Sequence, residues 1–332
     1  MKHCVFGGQY GSEGKGSVTE WLCKQAKKPV AVFGDNSPNS GHSNSRGKVR
    51  NIPAAAFYAD TCVLGPDAVI DSGVLIKDIE TLRQAGSKCQ IYCHENAAMV
   101  APEDIARERA NGLESSISST CTGSGHARFV KYYSRVASAT IRQSFLHEDS
   151  VAVLGTVEYL NMVDSLQQSH DLIFECGHGV LLDTNFGRYP YVTSRSTLPH
   201  AALTRNGLDP EYWIMCGVYR TFPIRTGGNS GPTGGKEISW EKLGVEKEIA
   251  TVTKRIRRVF EWNMTDFSVS LRLTRPDSIF FTHLDYLPWK HDTVETRFRD
   301  WDSRENILES AYEVSPSNVF ISEKCGEFMR YD

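Results

Sequence analysis

The first forty residues constrain the fold most. His3-Cys4-Val5-Phe6 is a short apolar run, Gly7 to Gly16 is glycine-rich, Ser17 to Lys27 has amphipathic helical spacing, and Val30-Ala31-Val32-Phe33 is a second apolar run. Strand, glycine-rich turn, helix and strand in that order predict a βαβ unit, and hence a parallel sheet with crossover helices. Later apolar runs extend the pattern, with strands expected over Gln90–Cys93, Leu172–Phe174, Trp213–Val218, Ser278–Thr282 and Asn318–Ser322. Helices are expected over Val74–Gln84, Trp240–Phe260 and Arg304–Tyr312. The fold expected is α/β, a mostly parallel sheet with crossover helices and a P-loop-like first turn, in one continuous domain over residues 1–332. A hydrophobic content of 40% is ample for the core of such a domain.

The first turn carries the chemistry. In Gly7-Gly8-Gln9-Tyr10-Gly11-Ser12-Glu13-Gly14-Lys15-Gly16-Ser17 the glycines let backbone N–H groups face an anion, and the helix N-terminus adds a favourable dipole. Lys15 supplies a point charge for the outer phosphates of a nucleoside triphosphate. The loop is not a Walker A motif, because Gln9 stands where its first glycine belongs and Gly16 replaces the Ser or Thr after the lysine. An ordinary tight turn would give no reason for a lysine among the glycines. Asn36-Ser37-Pro38-Asn39-Ser40-Gly41-His42-Ser43 follows the second strand, so His42 should reach the same crevice at the carboxyl ends of the strands. A histidine there can donate to a phosphoryl oxygen or shuttle a proton.

Composition excludes several other classes. A formal charge of −3 gives no support for a nucleic-acid or membrane-surface partner, although Lys254, Arg255, Arg257 and Arg258 cluster as if around one small anion. Nine cysteines, without a Cys-x-x-Cys pair, fit reduced thiols in the cytoplasm. No signal peptide precedes the first strand, and no apolar run reaches the ~18 residues of a membrane span. Ser115–Gly125 and Arg225–Gly235 are Gly-, Ser- and Thr-rich and read as functional loops.

Taken in order, these segments resemble the adenylosuccinate synthetase family, GTP-dependent ligases that join aspartate to IMP. The resemblance rests on Gly11-Ser12-Glu13-Gly14-Lys15-Gly16, Asn39-Ser40-Gly41-His42, Cys121-Thr122-Gly123-Ser124-Gly125 and Phe174-Glu175-Cys176-Gly177-His178-Gly179. It continues through Leu181-Leu182-Asp183, Tyr189-Pro190-Tyr191-Val192-Thr193-Ser194, Thr253-Lys254-Arg255-Ile256-Arg257-Arg258 and Thr282-His283-Leu284-Asp285. It implies a triphosphate held by Gly11, Glu13, Gly14, Lys15, Gly16, Ser17, Gly41, His42, Ser43 and Asp285. Catalysis would fall to Ser12, Lys15, His42 and His178. Mg²⁺ would sit at Ser12 and the Gly41 carbonyl. The purine monophosphate would be held by Ser12, Asn39, Thr122, His178 and Thr193, with Arg135 reaching in from the other subunit of a homodimer. Thr253, Arg255 and Arg257 would grip the aspartate carboxylates.

Three positions depart from the family pattern. The catalytic aspartate is Ser12, the glutamine that steadies the 6-phosphoryl intermediate is His178, and the lysine of the base-reading loop is His283. Serine is shorter than aspartate and neutral, which opens space where the 2-amino group of guanine would project. The pattern is similar to the phage branch of the family, which joins aspartate to dGMP on the route to 2-aminoadenine DNA. It implies a ligase acting on dGMP, L-aspartate and ATP, dATP or GTP, working in the host cytoplasm if phage-encoded. Glu13, His178 or a water could take the purine N1 proton. A divergent enzyme acting on IMP with GTP, and a nucleotide-binding switch protein, are the rival readings. The second would have no use for the arginine loop.

Overall fold

The computed structural model describes residues 1–136, 139–141, 151–287, 293–305, 307–312, 318–322 and 326–331. Its frame is a sheet of ten strands among the described residues. In chain order these are β1 (Lys2–Gly7), β2 (Val30–Gly34), β3 (Thr61–Leu64), β4 (Gln90–His94), β5 (Val151–Leu154), β6 (Asp171–Gly179), β7 (Ile214–Arg220), β8 (Ser278–Thr282), β9 (Asn318–Ile321) and β10 (Met329–Tyr331). Across the sheet they run β10-β9-β8-β7-β1-β6-β2-β3-β4-β5. Every neighbouring pair is parallel except β9 and β10.

Alternation along the strands explains why both faces are covered. Val5 of β1 and Val30 and Val32 of β2 join one apolar cluster, with Val18 and Leu22 of helix α1 (Lys15–Gln25) and Leu75, Ile79 and Leu82 of helix α2 (Ser72–Gln84). Cys4, Phe6, Ala31 and Phe33 face the other way, onto Tyr159, Val163 and Leu166 of helix α3 (Thr156–Ser169). Parallel sheets need this double cover, because crossover helices occupy both faces.

The chain passes from β1 over to β2 and outward, then returns to fill β6 beside β1, and crosses to the opposite side with β7. The reversal is centred on β1, so the loops leaving β1, β6 and β7 converge at their carboxyl ends, where α/β sheets bind ligands. The mostly parallel α/β architecture is therefore the one expected. The helix expected over Trp240–Phe260 is not. Only Trp240–Leu243 is helical. Gly244, in the left-handed region with φ 69°, ends it. β-Branched Ile249, Thr251, Val252, Thr253 and Ile256 then form an irregular hairpin that pairs Ile249 with Ile256 and leads into the strand Arg258–Phe260. The helix expected over Arg304–Tyr312 falls within the helical stretches Val294–Glu305 and Ile307–Tyr312, and Asn306 and Cys325 lie outside the described residues.

Candidate active site

Between β1 and α1 the loop folds around its own carboxylate. Glu13 is fully buried, and its Oε1 accepts from the Gln9 amide at 3.1 Å and the Gly11 amide at 2.7 Å. Its Oε2 accepts from Lys15 Nζ at 3.0 Å. A Cβ on Gly7 would lie 2.2 Å from this carboxylate and one on Gly179 2.5 Å from it, so both strand ends must be glycine. Glu13 thus supports the loop from beneath and turns these amides inward. The outward face is left to Lys15 and to the start of α1, whose cap residue Gly14 offers no side-chain bond. Gln9 bonds the Arg220 main chain in both directions, Nε2 to the carbonyl at 3.1 Å and Oε1 from the amide at 3.0 Å. It ties the loop to the end of β7, a role unlike that of a Walker glycine.

His42 follows β2 in a short hairpin, Nδ1 2.8 Å from Glu175 Oε1 and Nε2 3.2 Å from Ser40 Oγ. Glu175 is fully buried in β6 and also accepts from Thr19 Oγ1 at 3.1 Å and the Ala55 amide at 3.2 Å. Burial works against its charge, but the bonds from His42 and from backbone amides outweigh it and hold the carboxyl below the usual range. A carboxylate only accepts, so Nδ1 carries the hydrogen and Nε2 is left for the cleft. Glu175 is a site residue that sequence reasoning quoted within a motif and gave no role.

Three adjoining cavities meet at these groups. One of about 970 Å³ is bordered by Gly14, Lys15, Gly16, Ser17, His42 and Ser43 on one side and by Glu248 and His283 on the other. A second of about 1210 Å³ is bordered by Asn39, Thr122, His178 and the segment 189–194, including Thr193. A central cleft of about 710 Å³ touches Ser12, Lys15, Gly41 and His42 of the first, and Tyr10, Asn39 and His178 of the second, with Thr253 and Arg257 on its wall. The fold therefore brings together most of the residues singled out for a triphosphate and for a purine monophosphate.

Four residues sit apart. Glu13 lies under the loop, as above. Arg255 turns from the cavities and pairs with Glu114. Asp285 is exposed in the turn Leu284–Tyr286 and borders none of the three cavities. Arg135 is exposed beyond Val130–Ser134, beside the exposed Tyr132, Tyr133 and Val136.

Electrostatics distinguish the two histidines that replace family residues. Burial, with Arg195 and Lys15 nearby, drives the His178 pKa well below its ordinary value, so the ring is neutral. His178 also gives its carbonyl to Lys15 Nζ at 2.8 Å. Burial and the Arg220 guanidinium lower His283 to about 3, and its Nδ1 is 2.8 Å from Thr282 Oγ1. Ser12, His178, His283, Cys121 and Lys254 all hold positive φ, from 47° to 65°. Such strain in residues other than glycine collects where surroundings over-determine the backbone, typically at functional sites.

Tyr10 and Arg225 were not singled out for the site. The Arg225 guanidinium stacks 4.9 Å from the Tyr10 ring centroid, and its Nη1 and Nη2 donate to the carbonyls of Pro232 and Tyr191. Among the described residues no group of three or more His, Cys, Asp or Glu side chains is arranged to hold a metal ion. The oxygens of Ser12 and Gly41, both on the central cleft, suit a hard cation that keeps waters and shares phosphate ligands, as Mg²⁺ does.

The sequence matches the family model for adenylosuccinate synthetase over residues 4–153 and 147–299. It is 29% identical over 288 residues to adenylosuccinate synthetase of Methanococcus aeolicus, covering 85% of this chain and 84% of the relative. It is 31% identical over 293 residues to N6-succino-2-amino-2′-deoxyadenylate synthase of Vibrio phage phiVC8, covering 84% of each. In structure it resembles succinoaminodeoxyadenylate synthetase of cyanophage S-2L, solved with dGMP and with dATP as energy donor. The TM-score is 0.83 at 25% identity, over 99% of this chain and 95% of that one. A fully ligated adenylosuccinate synthetase of Plasmodium falciparum shares the fold with TM-score 0.78 at 18% identity, over 100% of both chains. The chain belongs to the adenylosuccinate synthetase family of C–N bond-forming ligases.

Proposed function

We propose that the chain joins L-aspartate to dGMP at the expense of ATP or dATP, giving N6-succino-2-amino-2′-deoxyadenylate in the cytoplasm. The observation that carries this reading is Ser12. It borders both the central cleft and the cavity behind Lys15, at the place where the family aspartate would meet the purine N1–C2 edge. A neutral, short side chain there leaves room for a 2-amino group. The phage relative named for this product and the cyanophage complex with dGMP and dATP support the same acceptor and donor.

Lys15 and His42 flank the phosphoryl group as it passes from the donor cavity to O6 of the purine, and positioning with charge neutralisation does most of the work. When bound at the Ser12 and Gly41 oxygens, Mg²⁺ supplies further charge neutralisation for the phosphates. Arg257 and Thr253 hold the aspartate so that its amine meets C6 at high effective concentration. The N1 hydrogen grows more acidic as O6 takes up the phosphoryl group, so a weak base suffices. Neutral His178 is that base, since the Glu13 carboxylate is engaged under the loop.

The chain acts as a homodimer. Among the described residues bordering the acceptor cavity Arg225 is the only lysine or arginine, and both its terminal nitrogens are engaged by carbonyls. A 5′-phosphate there lacks a free cation until Arg135 of a second copy supplies one, beside an exposed ridge of Phe129, Tyr132 and Tyr133.

The deciding experiment compares dGMP, GMP and IMP as acceptors with ATP, Mg²⁺ and aspartate, following phosphate release and product mass. Turnover of dGMP that requires aspartate is the expected result. Turnover of IMP with dGMP untouched overturns it.

A further inference from the structure

An ion-pair chain anchored on a buried arginine links the phosphate loop to the aspartate hairpin. Arg220, the last residue of β7, is fully buried. Its Nη1 donates to the Ser12 carbonyl at 3.1 Å, and its Nη2 pairs with Glu248 Oε1. Glu248 Oε2 accepts from Arg257 Nη1 at 2.7 Å, and Oε1 accepts from the Tyr286 hydroxyl at 3.1 Å. The Arg257 amide also donates to the Glu248 carbonyl at 2.8 Å, inside the hairpin whose tip carries Lys254. Three elements distant in sequence, the loop after β1, the end of β7 and the hairpin, are thus joined through Arg220 and the Glu248 carboxylate it pairs with.

That carboxylate borders the triphosphate cavity, where a bare negative charge would repel the ligand. Two guanidiniums neutralise it and leave one positive charge in excess. Burial opposes ionisation of Glu248, but Arg220 outweighs it and the pKa falls to about 2, so the group stays charged at neutral pH. The bond to Arg257 uses Nη1 alone, which leaves Nε and Nη2 for a substrate carboxylate in the planar geometry arginine favours.

We infer that Glu248, anchored by Arg220, is the positioning residue that aims Arg257 at a carboxylate of aspartate and fixes the hairpin relative to Ser12. The inference rests on the proposed function only in taking a dicarboxylic amino acid as the substrate of Arg257. Without the Glu248 charge, Arg257 regains the rotamers of a long side chain, and the substrate must order it.

The test is Glu248→Gln, which keeps shape and one acceptor and removes the charge. It is assayed with whichever purine monophosphate the native enzyme turns over. The KM for aspartate is expected to rise at least about tenfold, with the KM for the purine monophosphate changing less than about threefold. Inhibition by succinate, a dicarboxylate without the amine, should weaken in parallel. A merely structural role would lower kcat and Tm and leave that selective shift absent. Should Glu248→Gln not fold, Tyr286→Phe removes one bond to the same carboxylate and should raise the aspartate KM about two- to threefold. An unchanged or lower aspartate KM in the folded variant overturns the inference, the lower value meaning that Glu248 competes with substrate for Arg257. The identity of the acceptor is read separately, so failure of the dGMP reading leaves this outcome interpretable.

Discussion

Replacing Glu175 with glutamine tests the His42 arrangement with almost no change of shape. Glu175 accepts from His42 Nδ1 through Oε1 and from Thr19 and Ala55 through Oε2, all at 2.8–3.2 Å and fully buried. A glutamine can satisfy one side only. If its oxygen keeps Thr19 and Ala55, its amide faces Nδ1, which must then accept, and the imidazole hydrogen moves to Nε2. If its oxygen keeps His42, two N–H donors meet at Ala55, and a buried donor without a partner costs about 1–3 kcal/mol. The first arrangement costs less and removes the negative charge that holds the imidazole hydrogen on Nδ1 beside the phosphoryl group. A hydrogen bond to a charged group contributes about 1.5–3 kcal/mol, so kcat for Glu175→Gln should fall roughly 10- to 150-fold. The KM for aspartate should stay within about threefold, because neither Arg257 nor Thr253 touches this pair. Steady-state phosphate release at saturating substrates, beside thermal melts, measures it. A folded variant with native Tm and kcat within threefold of the native enzyme would refute the role given to the pair.

Ser12→Asp should lower kcat/KM for dGMP at least about tenfold, on the order of 1.4 kcal/mol, and raise that for IMP. Competition between the two acceptors in one reaction reads the ratio directly, and an unchanged ratio removes Ser12 as the source of acceptor choice. Asp67 binds Arg128 and Arg205 at 2.8 Å and Arg195 at 3.3 Å. Burial opposes its charge, but the three arginines lower its pKa from 3.8 to about 2. Its contribution to stability is therefore full above pH ~4 and lost as pH falls through about 2, some 2 kcal/mol in all. Asp67→Asn should lower Tm at pH 7 and flatten the acid limb of the stability curve, which melts between pH 7 and pH 2 would follow. His283→Lys restores an alkyl stem over the donor base and should raise the GTP-to-ATP rate ratio severalfold, measured with the two donors in parallel.

The sheet was legible because buried parallel strands are continuous apolar runs, and β8 (Ser278–Thr282) stands where its sequence placed it. The stretch after Trp240 was misread for the same reason. Its apolar residues serve a hairpin that borders the cavities, and propensity does not reveal which side of them meets ligand. At the site, glycine spacing marked the phosphate loop and position marked His42. The roles of Glu175 and Glu248 depend on partners 133 and 28 residues away, at His42 and Arg220, and no local pattern announces such pairs. The inward turn of Glu13 was likewise hidden, since an acidic residue in a phosphate loop reads from sequence as a surface group near the ligand.

The carboxylate under the loop also limits how such a chain can vary. Glu13 fills the space that side chains at residues 7 and 179 would need. Three positions spread over more than half of the chain therefore behave as one inherited unit. A substitution at Gly7 is tolerated only in a lineage that has already shortened Glu13, and such a lineage must find another acceptor for the Gln9 and Gly11 amides; at Gly179 a side chain would still meet the Gln9 carbonyl at 2.4 Å and the Gly11 nitrogen at 2.5 Å. Drift at Gly7 is thus ordered in time, the acidic residue changing first, whereas Gly179 is held by the loop backbone as well.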